Sequence, residues 1–403
     1  MSFQVRLWRK TSKKARSIAV TYSFNCVNEL VAILLPRNDI LTRAIESVWQ
    51  TDDAFCIIDT RLPKSQIQTL ATKLAPTMMI EDASLSRHRV PNGQKVEDGD
   101  AYVVATSGTT GIPKGVVHTW RSLEASSFAT TKRMDIDPDV DGWICALPPS
   151  HVGGLSIITR SLLSGTKVFV IDGFDDEEIK KRQRAGANLI SIVTSAAHKI
   201  DPKGFKVVLL GAQAPPKDIP ENFLVTYGMT ETGSGVVYNN FSLPSVQVTI
   251  SEENEILIDA PMLARSYRDG EPIRSPDGRF RTGDIGKVSR DGRVTVQGRA
   301  SDMINSGGEK LFPFPIEESI KRHPSVKEVV VFGKPDSQWG EVVAAALVIK
   351  RDATAPSKQE IRELVTAEVA PWAYPKEIYI VDEIPKTPLG KVQRKLLCQR
   401  LLT

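Results

Sequence analysis

Apolar residues in this chain gather in short blocks, and the polar stretches between them carry helical spacing. Glu29–Pro36 reads as a buried strand, Asp39–Gln50 as a helix, Ala54–Asp59 as a second strand, Pro63–Leu74 as a second helix, and Met78–Ile80 as a third strand. Strand and helix alternating at this pitch predict a parallel sheet covered on both faces. Residues 81–100 are polar and contain Pro91-Asn92-Gly93, a surface connection into a strand at Ala101–Ala105. Beyond it, Val116–Arg133 reads as helix, and the alternation resumes with Val168–Ile171, Asp175–Ala185, Leu189–Val193 and Lys206–Leu210. The last hundred residues differ. A helix opening at Pro315–Lys321, strands at Val326–Phe332 and Val342–Ile349, a helix from the capping box of Ser357 and Glu360 to about Val369, and a strand at Ile378–Val381 predict a compact α+β module.

Composition changes this picture little. The chain of 403 residues has length for two or three domains, and 41% apolar with 25% charged residues is an ordinary globular balance. A net charge of +4 gives neither a nucleic-acid footprint nor a polybasic membrane patch. The cluster Arg9–Arg16 is read as a solvated face, because the apolar core of a signal peptide is missing beside it. Stretches such as Val342–Ile349 are too short to span a bilayer. Cys26, Cys56, Cys145 and Cys398 show no metal or disulfide spacing, so reduced thiols in a cytoplasmic protein are expected.

Candidate chemistry centres on Thr106-Ser107-Gly108-Thr109-Thr110-Gly111-Ile112-Pro113-Lys114-Gly115. Hydroxyls, successive backbone N–H groups and one ammonium, placed between a strand and a helix, suit a polyphosphate. The G-x-x-x-x-G-K-[ST] loop does not fit, since Pro113 replaces its second glycine and Gly115 its Ser or Thr. By composition alone such a run is more often a flexible linker, and what overturns that reading is the lysine and the residues downstream. Gly211-Ala212-Gln213 is a small-residue turn ending a strand, where open α/β sheets bind ligands. Tyr227-Gly228 with Thr230-Glu231 offers a ring for stacking, a hydroxyl for phosphate and a carboxylate for a metal. Asp284 follows a Thr-Gly turn and suits two ribose hydroxyls. His151 lies between a strand and a helix. Arg160 stands nine residues on, in an apolar helical run, and needs either an anionic partner or a route to solvent.

In this order the motifs closely resemble those of the acyl-adenylate-forming superfamily, which includes acyl-CoA synthetases, luciferases and peptide-synthetase adenylation domains. The resemblance covers residues 25–400, although the lead-in to Thr106 is short for the family. It implies an α/β fold: a large N-terminal domain of several subdomains, residues 1–300, with mainly parallel sheets sandwiched by helices, and a mobile α+β domain, residues 301–403, turning about Ser301. It further implies that Thr106, Ser107, Gly108, Thr109, Thr110 and Lys114 clamp the phosphates of ATP. Gly211, Ala212, Gln213, Tyr227, Gly228, Asp284 and Arg299 would hold the rest of the nucleotide. Glu231 would bind Mg²⁺ beside Thr230, and Gly307 and Gly308 with Trp339 would line the path of coenzyme A. Lys391, in a Pro-x-Thr-x-x-Gly-Lys loop, matches the catalytic lysine; His151, Arg160 and Ser195 are placed around the acid.

The spacing of His151 and Arg160, Val117-His118-Thr119 and Ser301 are similar to the o-succinylbenzoate CoA ligase branch, which would place the chain in menaquinone or phylloquinone synthesis. An aryl, medium-chain or fatty acid, or an adenylation domain loading a carrier protein, are the alternatives. Expected partners are a small carboxylic acid, ATP and CoA, without nucleic acid or membrane; a homodimer is left open.

Overall fold

The computed structural model describes residues 5–9, 16–20, 28–106, 113–211, 219–386 and 392–402. The chain divides into two compact units, the first made of residues 1–248, 258–281 and 290–294, the second of 249–257, 282–289 and 295–403.

The first unit contains two seven-stranded sheets. In one, Leu30–Ile33, Ala54–Ile57, Met78–Ile80 and Asp100–Thr106 run parallel, as the alternating pattern requires. Val31, Phe55 and Tyr102 stand opposite one another along this ladder, all free of solvent, so the apolar blocks are continuous because both faces are covered. In the other, Gly142–Cys145, Lys167–Val170, Leu189–Val193, Val207–Gly211 and Phe223–Met229 are parallel, and Ser234–Tyr238 folds back antiparallel. Helix Trp120–Arg133 packs on helix Val152–Ser164 and touches strands of both sheets. Helix Asp39–Trp49 begins at Asn38, whose side chain accepts from Ile40 N–H, and lays Leu41, Ala44, Ile45 and Val48 on the first sheet.

One expected element is different. Residues 116–119 are not helical: Lys114–Thr119 is a strand, antiparallel to Asp100–Thr106, with Thr106 opposite Lys114. Val116, Val117 and His118 are buried on both faces of the sheet, a place that suits β-branched side chains. The helix begins only at Trp120, where Thr119 and Ser122 exchange capping hydrogen bonds. The phosphate-loop candidate is therefore flanked by two antiparallel strands, and the helix after it starts only at Trp120.

In the second unit, Val326–Asp336 pairs antiparallel with Gly340–Ile349, which also pairs with Ile304–Ser306 and, in parallel, with Glu377–Ile380. Val329, Val331, Val343, Ala345 and Leu347 join Ile316 and Ile320 of helix Pro313–Ile320 and Ile361 and Val365 of helix Lys358–Glu368 in one core. Alternate residues Val330, Phe332, Ala344, Ala346 and Val348 point the other way, onto Leu397 of helix Arg394–Leu402. This unit also contains most of a four-stranded sheet, in the order Gln247–Ile250, Glu255–Asp259, Phe280–Val288, Val294–Arg299.

Candidate active site

The hairpin brings Lys114 to one end of its strand, beside a third strand that the sequence did not announce. Ser266–Tyr267 pairs antiparallel with Val116 and Val117. This places Glu271 at 2.6 Å from Lys114 Nζ, and the ammonium lies 4.5 Å from the Tyr267 ring centre. The hydrogen bond and charge of Glu271, with Asp269 and Glu231 nearby, hold the Lys114 ammonium above its ordinary pKa. Tyr267 Oη in turn donates to Glu231 Oε1 at 3.0 Å, and the backbone O of Glu231 accepts from Ala264 N–H. Burial and this carboxylate push the phenol of Tyr267 up.

Glu231 sits in the short helical turn Thr230–Thr232, after strand Phe223–Met229. The strand carries Tyr227, half-buried, and an irregular register between Tyr227 and Gly228. A Cβ at Gly228 would fall 2.2 Å from Ser234 O, so only glycine permits the two strands to close there. His118 anchors the turn from behind. Its Nε2 lies 2.8 Å from Thr230 O and its Nδ1 3.2 Å from Ser122 Oγ, and its ring stacks on Tyr102 with centres 4.8 Å apart. Complete burial pushes the imidazole down to about 4, so it is neutral.

Arg160 does not reach solvent. It is 3% exposed, with Nη2 at 3.5 Å from Ser234 Oγ and the guanidinium 5.6 Å from the Trp143 ring. Nε and Nη1 make no hydrogen bond among the described residues. Burial pushes the guanidinium below its ordinary value. Around it are Ser126, Ser127, Ser156, Thr159, Leu123 and Gly233. His151 precedes helix Val152–Ser164, but its side chain makes no capping bond; burial takes its pKa to about 4, against the pull of Asp59. Thr106 ends its strand, Gly211 ends Val207–Gly211, and Ser195 lies in the turn Thr194–Lys199.

Within the second unit, Asp284 is buried and paired with Arg299 Nε at 2.8 Å, while Arg299 Nη1 donates to Thr282 O. Gly307 and Gly308 both take positive φ, closing a two-residue hairpin turn, and a Cβ on Gly307 would strike the Trp339 ring at 2.5 Å. Ser301 lies in the short turn Ala300–Asp302 and is exposed. Ser107, Gly108, Thr109, Thr110, Ala212, Gln213 and Lys391 lie outside the described residues.

Comparison with known proteins decides the family. The pattern of the AMP-binding enzyme family matches residues 27–255, more than half of the chain, and that of the AMP-binding enzyme C-terminal domain matches residues 315–391. The chain belongs to the AMP-binding enzyme family. It is 32% identical to 2-succinylbenzoate–CoA ligase of Listeria monocytogenes, over 93% of this chain and 89% of that protein. The ligase of the same name from Enterococcus faecalis is 30% identical over 97% and 87%. Among solved structures, o-succinylbenzoate CoA synthetase (MenE) from Bacillus subtilis, in complex with the acyl-adenylate intermediate, matches 92% of this chain and 88% of its own, with a TM-score of 0.80 and 24% identity. The family's fold is thus the one that the resemblance implied, and its parallel sheets are those expected from the alternation of blocks. Among the described residues, Cys56, Cys145 and Cys398 are free thiols, and no helix is long and apolar enough to cross a membrane.

Tyr267, Glu271 and His118 were not among the predicted site residues. Lys114 and Glu271 are 157 positions apart, and only strand pairing joins them. His118 was noticed in the sequence, but its bond to Thr230 crosses 112 positions.

Proposed function

We propose that this protein is an ATP-dependent 2-succinylbenzoate–CoA ligase, making the thioester through an acyl-AMP intermediate, as a step toward menaquinone or phylloquinone. The acid's carboxylate attacks the α-phosphorus of ATP and pyrophosphate leaves; the thiol of CoA then attacks the acyl carbon and AMP leaves. Lys114, at the mouth of the hairpin, offers an ammonium to the phosphates once it leaves Glu271. Lys391 is assigned to the charge that develops at the α-phosphate and bridging oxygen, where a preorganised cation has its greatest effect. Asp284 and Arg299 are assigned to the ribose, Tyr227 to the base, and Gly307, Gly308 and Trp339 to coenzyme A.

Glu231 fits a magnesium ion: its carboxylate has one oxygen engaged by Tyr267, and no group of three His, Cys, Asp or Glu side chains forms a metal cage among the described residues. Mg²⁺ ordinarily takes one or two carboxylates and completes its shell with phosphate and water. Bound there, it would neutralise phosphate charge.

The observation that carries the substrate choice is Arg160. A guanidinium this buried, with Nε and Nη1 unpaired among the described residues, needs an anion, and the substrate's carboxylate that is not activated supplies one. His151 is neutral and can line the acyl pocket without competing for that anion.

The test is thioester formation by purified protein with ATP, Mg²⁺ and CoA, offering o-succinylbenzoate, benzoate and a medium-chain fatty acid in parallel. Strong preference for o-succinylbenzoate supports the assignment. Thioester with another acid only retains the ligase and discards the substrate. Adenylate released to a carrier protein but not to CoA discards the ligase.

A further inference from the structure

The assignment above leaves His118 without a task, yet both its ring nitrogens are engaged and its ring is stacked. It is fully buried in the strand that begins at Lys114. One face stacks on Tyr102, and the Gly233 side leaves so little room that a Cβ there would come within 3.2 Å of Cε1. A carbonyl oxygen only accepts, so Nε2, 2.8 Å from Thr230 O, carries the proton. Nδ1, then unprotonated, lies 3.2 Å from Ser122 Oγ, whose hydroxyl also reaches Thr119 O at 2.9 Å. Thr230 O belongs to the peptide group that leads into Glu231. One rigid ring therefore links the strand bearing Lys114 to the peptide bearing Glu231.

We propose that His118 is a positioning residue: its Nε2–H fixes the Thr230–Glu231 peptide, and with it the Glu231 carboxylate, relative to the strand of Lys114. The proposal rests on Glu231 facing the magnesium nucleotide. A histidine that only fills space would be replaceable by any side chain of similar volume. One that positions requires a donor at Nε2, which the amide of glutamine can supply and methionine cannot.

The experiment compares the full-length parent with His118→Gln and His118→Met by calorimetric titration with Mg-ATP and with adenosine, which lacks phosphate. The expected result is that His118→Met weakens Mg-ATP roughly tenfold and leaves adenosine unchanged, the loss of one buried hydrogen bond. His118→Gln should stay within about threefold of the parent. Equal weakening by both variants, parent-like affinity in His118→Met, or equal losses for Mg-ATP and adenosine would overturn it. Should His118→Met not fold, His118→Gln decides through the Mg²⁺ concentration giving half-maximal ATP binding: a parent-like value supports the proposal and a tenfold rise overturns it. A parent that binds Mg-ATP but makes no o-succinylbenzoyl-CoA retires the substrate alone and leaves the His118 comparison intact. A parent that does not bind Mg-ATP retires both.

Discussion

In the role proposed for it, Arg160 trades stability for recognition. The helical run around it allowed two outcomes, pairing or escape to solvent, and hydrophobic spacing does not distinguish them, because a long side chain can leave an apolar face. The fold decides by covering it. An uncompensated buried charge destabilises its host, so Arg160→Met is expected to raise the melting temperature by about 2–4 °C. The same variant should raise the KM for o-succinylbenzoate more than tenfold, a split that thermal melts and initial rates can read together. His118 gives a second prediction at this scale. Its folded pKa of about 4 lies below the ordinary 6.5, so between these values the unfolded chain takes up a proton that the folded chain refuses. Its contribution is complete above pH 6.5 and is lost as pH falls through 4, about 3 kcal/mol in all. Urea midpoints should fall from pH 7 to pH 4.5, and less steeply in His118→Gln.

The elements were legible wherever one period ran long enough. The parallel strands and the helices of both units follow their blocks closely, and the capping box at Ser357 and Glu360 is present with both bonds. The hairpin was missed because three consecutive buried residues, Val116 to His118, show no period, and a glycine-rich loop before them suggested a helix start. The pairing of Ser266–Tyr267 with Val116–Val117 was beyond reach, since register between distant strands leaves no local mark. That third strand is held by Arg265, which forks onto both oxygens of Asp100 at 3.0 and 2.8 Å, with the Asp100 side chain shut off from solvent. Arg265→Met leaves that carboxylate buried without a countercharge, with only Glu97 N–H still donating to it, so a loss of roughly 3–5 kcal/mol is expected in urea unfolding. Adding Asp100→Asn should recover part of it, and a second variant no better than the first would show that the pair is not what binds the strand.

For the whole molecule, the order of motifs along the chain disclosed the family while the geometry of each remained hidden, because order survives in sequence and three-dimensional meeting points do not. The division of labour proposed for the two steps is tested by separating them. Lys391→Ala should reduce adenylate formation by about 10²-fold or more while o-succinylbenzoyl-AMP supplied ready-made is still converted to thioester at a near-parent rate. Equal losses in both half-reactions would remove Lys391 from its assigned place. The hairpin carries a further consequence for how this chain can be taken apart. Thr106 and Lys114 face one another across a ladder, and each stem is also zipped to another strand, the first to Ala54–Ile57 and the second to Ser266–Tyr267. Covalent continuity between Thr106 and Lys114 is therefore redundant with non-covalent pairing. Two polypeptides divided at one bond between Thr106 and Lys114, with no residue removed, should reassemble when mixed, making this the natural seam for a split enzyme whose nucleotide chemistry reports that its halves have met.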